Sequence, residues 1–308
     1  MNKWMRKTGG LFLWMMLVTL LACAPAAEEP TKKVLRLGLV PFETGEELLK
    51  DVQPLMDVIE KGMDMEVRPI VAADYAGVVE ALKNKQLDIA FLSPASYVLA
   101  KQEANVKVLL KSKYSSTGQP HFFGAIIVRT DSPIKSMKDL KGKRFSFGDP
   151  ISTTGHIFAR ILMKESGINP DTDLDNVVYS GSHDATILAV LNKKVDAGAT
   201  YAYDKENKLT AWSRFLKPEE QKHIRVLAYS GPIPADTICA SQDMAPELAE
   251  KFRQTMLAYT ATAEGKALMR KLYHFDGYVP AEDADYKSVR EGFAAAGIDL
   301  KEKLKKDK

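Results

Sequence analysis

The stretch FGDPISTTGH (Phe147 to His156) decides how this chain folds. A strand-like run, Arg144 to Phe147, stops at Gly-Asp-Pro, and a helical pattern starts at Thr153 and continues to Ser166. A second stretch, SGSHDATILAVLNKKVDAG (Ser180 to Gly198), repeats the pattern: a strand at Val177 to Ser180, a helix at His183 to Lys194, a strand at Val195 to Thr200. Strands that feed directly into helices build parallel sheet. The first unpaired N–H groups of such helices, with the positive end of the helix dipole, face any anion beyond the strand ends. The chain therefore offers an anion site at two separate junctions.

The same alternation extends outward in both directions. Before the first stretch come strands at Val34 to Val40, Met65 to Ala72, Leu87 to Leu92, Val106 to Leu110 and Phe122 to Val128. Helices fall between them at Glu46 to Lys61, after Asp74, and after Ser93-Pro94, where a cap residue precedes a proline at the first helical position. Beyond the second stretch lie a helical segment near Lys205 to Phe215, strands at Arg225 to Tyr229 and Asp236 to Ala240, and three amphipathic helices, Pro246 to Ala261, Ala263 to Tyr273 and Ala281 to Ala296. The pattern predicts an α/β protein of two lobes, each a mostly parallel sheet flanked by helices. Two chain crossings, near Val128 to Ser132 and Val226 to Gly231, would serve as hinges. Residues 34–128 plus 229–308 form the first lobe in this reading, and residues 129–228 the second.

The ends and the composition narrow the setting. Lys3, Arg6 and Lys7 precede an apolar run from Leu11 to Ala22, too short to span a bilayer and laid out like a secretory signal. Leu20-Leu21-Ala22-Cys23 matches a lipobox, which predicts residues 1–22 as signal, Cys23 as the acylated residue and 23–33 as a tether. The one other cysteine, Cys239, lies in the apolar segment Thr237 to Ala240 and reads as a buried strand cysteine. The net charge of +3 is matched by the three basic residues of the signal, so the remainder is near neutral. No basic stripe for nucleic acid appears. Five scattered histidines and no CxxC give no metal-binding pattern, and no cofactor motif is present.

Three strand-to-helix junctions bring hydroxyls to the sheet edge where open α/β folds bind ligands: Ser93 to Tyr97, Ser152 to Thr154, and Ser182 to Asp184. Ser93, Ser152 and Ser182 are each explained by helix capping alone. The run Ser152-Thr153-Thr154-Gly155 exceeds what a cap requires, and Gly155 permits close backbone approach. His183 gains weight from its place in the first turn of a helix. Asp184 complements the helix dipole in the simpler reading. A Ser152–His183–Asp184 triad is excluded because adjacent His and Asp at a helix start point in different directions.

At these residues the chain resembles the phosphate, phosphite and phosphonate solute-binding proteins of ABC transporters, a type II periplasmic-binding-protein family. The carrying segments are GDPISTTG, SGSHDATILAVLNKKVDAG, ADYAGVVEALKNKQLDIAFLSPASYVLA (Ala73 to Ala100) and IIVRTDSPI (Ile126 to Ile134). The resemblance covers about Val34 to Gly297. It implies that Ser152, Thr153 and Thr154 hold phosphoryl oxygens, that His183 contacts the same group, and that Tyr97 adds a cleft hydroxyl. Tyr203 falls where amine-binding members place a carboxylate, and Phe122-Phe123-Gly124 replaces a segment that often carries donors. Both departures favour phosphite, phosphate or a small alkylphosphonate over an amine-bearing ligand, with Asp204 as an alternative amine partner.

The implied protein is a monomeric, non-enzymatic lipoprotein on the extracytoplasmic face of a bacterial membrane. Its ligand-binding residues are Ser152, Thr153, Thr154, His183, Tyr97, Ser93, Tyr203 and Asp184. Its partners are a small phosphorus oxyanion, an ABC permease and the membrane through Cys23. The rival readings are a sensory module of the same fold signalling to a membrane kinase, and an enzyme acting on organophosphorus compounds.

Overall fold

Val34–Leu39 (β1) buries Leu35, Leu37 and Leu39 to within 3% of full enclosure and leaves Arg36 at the edge, bonded to Asp88. Each such aliphatic side chain stabilises the fold by about 1.5–3 kcal/mol. Gly38 makes room there for Leu87, whose side-chain end a Cβ would approach to 2.4 Å. The computed structural model describes residues 33–43 and 45–298. The signal segment, Cys23 and the tether up to residue 32 lie outside the described residues.

From β1 the chain runs through Gly45–Met63 (α1), Glu66–Val71 (β2), Tyr75–Lys83 (α2), Ile89–Leu92 (β3), Pro94–Ala104 (α3) and Lys107–Tyr114 (β4). It crosses to the second sheet at His121–Arg129 (β5), then follows Phe145–Phe147 (β6), Phe158–Glu165 (α4), Val177–Tyr179 (β7), His183–Leu191 (α5) and Ala197–Ala202 (β8). Ala211–Phe215 (α6), Pro218–Gln221 (α7) and Ile224–Pro234 (β9) complete that lobe. Thr237–Ala240 (β10), Pro246–Ala261 (α8), Ala263–Tyr273 (α9), Phe275–Pro280 (β11) and Lys287–Ala296 (α10) follow.

One sheet has six strands in the order β11-β4-β10-β3-β1-β2, the other five in the order β7-β6-β8-β5-β9. Both are mixed. β1 pairs in parallel with β2 and β3, and β6 with β7 and β8, while β4, β5, β9, β10 and β11 pair antiparallel to their neighbours. The parallel cores match the β/α alternation of the sequence, and the antiparallel strands come from the chain crossing between sheets.

Three features differ from the sequence expectation. The strand at Phe122 to Val128 belongs to the second sheet, where β5 lies between β8 and β9, so residues 121–128 leave the first lobe. β9 is one strand of eleven residues that includes Pro232 and Pro234; at the edge of its sheet, prolines need not donate to the ladder. The crossings therefore fall between Tyr114 and His121 and between Pro234 and Thr237. β11 was read as a gap between helices; it is an edge strand whose Gly277 (φ +138°) lies against Thr260.

The C-terminal helix also departs from a first-lobe assignment. α10 packs on α4 of the second lobe, where Gly292 faces Ile161 and Phe158, and Lys164 Nζ donates to the Ala296 carbonyl at 2.8 Å. It touches α3 of the first lobe as well.

Candidate functional site

The carboxyl ends of the parallel strands from both sheets meet around a cavity of about 110 Å³. The first lobe supplies Val40, Tyr75, Ser93, Tyr114, Asp236 and Tyr273 among its walls, and the second supplies Phe122, Ser152, Thr153, Thr154, His183, Tyr201 and Tyr203. Among the described residues no lysine or arginine lines it. Recognition of an anion here must come from neutral donors and helix ends.

The Ser152 turn supplies most of them. Thr153–Ile157 is a π-helical turn in which the Ser152 carbonyl accepts from both His156 N (3.2 Å) and Ile157 N (3.1 Å). The Ser152 hydroxyl accepts from Gly155 N at 3.1 Å and also meets the buried Tyr75 phenol. The backbone N–H groups of Thr153 and Thr154 have no partner among the described residues. Gly148 N donates to the Gly155 carbonyl at 2.9 Å, and a Cβ on Gly155 would come within 3.2 Å of the Gly148 Cα. The two glycines hold the turn folded back on the end of β6.

Contacts across the cleft fix the turn against the first lobe. Thr153 Oγ1 accepts from Ala95 N at 2.9 Å, in the first turn of α3. Asp149 Oδ1 accepts from Ile151 N at 2.6 Å and Oδ2 from Tyr75 N at 3.1 Å, at the start of α2. The Gly-Asp-Pro of the sequence is thus a bridge between lobes as well as a turn. Ser93 caps α3, and its hydroxyl also meets that of Ser96 at 2.8 Å.

His183 opens α5. Its Nδ1 lies 3.1 Å from Thr200 Oγ1, and its ring meets Tyr201 edge-on at 4.8 Å. Burial pushes the imidazole down to about 4 despite the nearby Asp184 carboxylate, so the ring is neutral at neutral pH. When Thr200 donates to Nδ1, Nε2 carries the proton and donates. Burial likewise raises the phenols of Tyr75, Tyr114 and Tyr203, and brings Tyr201 up to about 12, which keeps them as neutral donors.

The remaining sequence-predicted residues divide. Tyr203 lines the cavity and packs on Tyr114 of the first lobe at 4.7 Å. Tyr97 does not line it: the ring is buried against Tyr286 at 4.6 Å and the hydroxyl donates to Asp283 at 2.6 Å. Asp184 accepts from the Ser182 hydroxyl beside the cavity, outside its lining. Asp204 accepts from Lys208 N (2.9 Å) and Leu209 N (3.0 Å), so it closes a loop and does not reach the cavity. Cys239 is fully buried in β10, with its thiol pushed up by desolvation.

Sequence reasoning missed the most informative wall residue, Asp236. It sits in the second crossing, its Oδ2 accepts from the Tyr114 hydroxyl at 3.1 Å, and burial pushes its carboxyl up to about 6. Nothing in Gly-Pro-Ile-Pro-Ala-Asp announces a site, because the crossing that carries it was placed several residues early. Tyr75 and Tyr114 were hidden similarly: one follows the Asp74 cap and the other ends a strand whose partner was unknown.

Two lobes joined by paired crossings, with a small polar cavity between strand ends, define a solute receptor of the periplasmic-binding type. Residues 37–286 match the family described as ABC transporter, phosphonate, periplasmic substrate-binding protein, and the chain belongs to it. It is 30% identical over 253 residues to the phosphonates-binding periplasmic protein of Escherichia coli K12, covering 81% of this chain and 73% of that one. It is 29% identical to the phosphate-import protein PhnD of Mycolicibacterium smegmatis over 84% of each chain. Among solved structures, PhnD1 of Prochlorococcus marinus in complex with methylphosphonate shares the fold at TM-score 0.75 and 22% identity, covering 86% of this chain and 98% of that one.

Proposed function

We infer that this protein captures a small phosphorus oxyanion (phosphite, phosphate or a small alkylphosphonate) and delivers it to an ABC permease without chemical change. The observation that carries the reading is the Ser152 turn. Among the described residues, two backbone N–H groups without a partner, three hydroxyls and a neutral imidazole belong to residues that line one small cavity, and no lysine or arginine lines it. Such a donor set suits an oxyanion with several equivalent oxygens better than a carboxylate. Tyr203 stands in the cavity wall and Asp204 is engaged in its own loop, so Asp236 is the one carboxyl among the described lining residues, and its raised pKa lets it meet an oxyanion in protonated form. Relatives named for phosphonate, phosphate and methylphosphonate support the same class.

The same geometry supports binding over nucleophilic chemistry: the Ser152 hydroxyl caps a helix, the His183 Nδ1 faces Thr200, and Asp184 accepts from Ser182. The setting is extracytoplasmic and the protein works as a monomer, anchored through Cys23; no helix of the described residues is long and apolar enough to cross a membrane. Labelled palmitate that is incorporated into wild type and lost in Cys23→Ser supports the anchor, and incorporation that survives the change refutes it.

The test of the ligand is calorimetric titration of the full chain with phosphite, phosphate, methylphosphonate, 2-aminoethylphosphonate and sulfate. Saturable binding of at least one amine-free phosphorus oxyanion, with sulfate weaker, is expected. Silence across the phosphorus compounds overturns the reading.

A further inference from the structure

Arg214 belongs to α6 of the second lobe, yet every acceptor of its guanidinium lies in the first. Nη2 donates to Glu43 Oε1 at 2.7 Å and Oε2 at 2.9 Å, and Nε donates to Oε2 at 3.1 Å. Nη2 also reaches Asp51 on α1 at 3.2 Å, and Nη1 donates to the Leu272 carbonyl on α9. The pair is enclosed, with side-chain exposure of 10% for Arg214 and 4% for Glu43. The guanidinium carbon stands 5.8 Å from the Phe42 ring and 6.0 Å from the Tyr273 ring, and both rings line the cavity. One residue beyond Val40 and Pro41, the Phe42 carbonyl accepts from His183 N at 3.1 Å, so the β1–α1 loop touches the second lobe twice.

We propose that the Arg214–Glu43 pair is the clasp that sets how often the two lobes are closed and how slowly the ligand leaves. Arg214 does not line the cavity, so it acts as a positioning residue through Phe42 and Tyr273. In an open receptor both charged groups are hydrated. Closing strips that water, and the forked geometry then repays most of the cost. A matched pair is close to neutral in net attraction, but a lone charge left in the same place is heavily penalised. The clasp thus admits one closed arrangement, the one that seats Phe42 and Tyr273 on the cavity. Burial pushes the Glu43 carboxyl upward against the pull of Arg214, while Glu43 holds the guanidinium firmly charged.

The inference uses the ligand reading above only for its binding arm. Full-length protein labelled at Lys61→Cys in the first lobe and Lys138→Cys in the second reports the interlobe distance with and without methylphosphonate. Arg214→Gln and Glu43→Gln should each lower the closed-to-open ratio roughly tenfold or more. Methylphosphonate affinity should fall by the same factor, carried mainly by faster release, because affinity scales with the closed population. The double Gln variant should be no worse than either single, and Arg214→Lys should recover only part, lacking the fork. Unchanged distances and release rates in both singles, or penalties that add in the double, overturn the clasp. If wild type binds no phosphorus oxyanion, the ligand reading fails while the ligand-free distances still decide the clasp.

Discussion

Asp236 fixes the sign of the proton balance on binding. Its ordinary pKa of 3.8 is pushed up to about 6 by burial, and it faces a cavity with no lysine or arginine among the described lining residues. At pH 7 such a group is protonated in about one molecule in ten. An amine-free oxyanion seated on the Ser152 turn brings negative charge close to this carboxylate, and two like charges at hydrogen-bond range do not both stay ionised. A proton is then shared between Asp236 and a ligand oxygen, and it belongs to the pair and not to either group alone. Where the ligand enters as its dianion, Asp236 therefore takes up about 0.9 proton at pH 7, whereas a monoanion brings the shared proton with it and needs none from solution. An ammonium-bearing ligand acts in the opposite direction, depressing the carboxyl pKa and releasing at most about 0.1 proton.

The assay is titration with methylphosphonate at pH 7 in buffers of different ionisation enthalpy, whose slope counts protons. Asp236→Asn, measured in parallel, subtracts the contributions of the ligand's own ionisation and of His183. With the ligand bound in the same protonation state, uptake should be lower by up to about 0.9 proton in the variant, and wild-type affinity should weaken up to about tenfold per pH unit above 6 relative to it. Equal proton uptake in the two proteins would falsify the assignment, as would net release with methylphosphonate in wild type.

Thr153→Ala and His183→Ala should each weaken binding by about 1.5–3 kcal/mol, since each removes a donor around a desolvated anion. Circular dichroism should stay unchanged while calorimetry reads the loss, and near-normal affinity in both variants sinks the site. Tyr203→Glu should turn selectivity toward 2-aminoethylphosphonate, by placing a second carboxylate in the cavity that Asp236 already lines. Competition between that compound and methylphosphonate measures the shift, and no gain for the amine-bearing ligand counts against the placement of Tyr203.

The fold and half of the site were legible in the sequence for a definable reason. Ser152 to Thr154 and His183 sit where strand patterning hands over to helix patterning, and such junctions are local events. Ser93 and Tyr203, read from a cap and from a register count, line the same cavity. Tyr97 misled because a tyrosine one turn into α3 points away from the junction that carries it, towards Asp283. The crossings were displaced because a strand pattern names its own residues and not its partners: Phe122 to Val128 looks the same in either sheet. Asp236 and the Arg214–Glu43 pair were invisible for a stronger reason. The first is defined by a crossing, and the second joins residues 171 positions apart.

The ligand and the clasp act on one equilibrium from different places. Asp236 stands in the second crossing; its carbonyl accepts from Ser112 N at 3.0 Å and its carboxylate accepts from Tyr114, the last residue before the first crossing. Ala235 N donates to the Pro120 carbonyl at 3.0 Å and ties the two crossings together. A ligand that engages Asp236 therefore bears on both segments that absorb lobe rotation. It shifts closure only by its differential affinity for the closed form, whereas the clasp shifts closure for every ligand alike. Weakening Arg214 should lower all affinities by one common factor and leave their ranking intact. Changing Asp236 or Tyr203 should reorder the ranking, because those residues face the part in which the ligands differ.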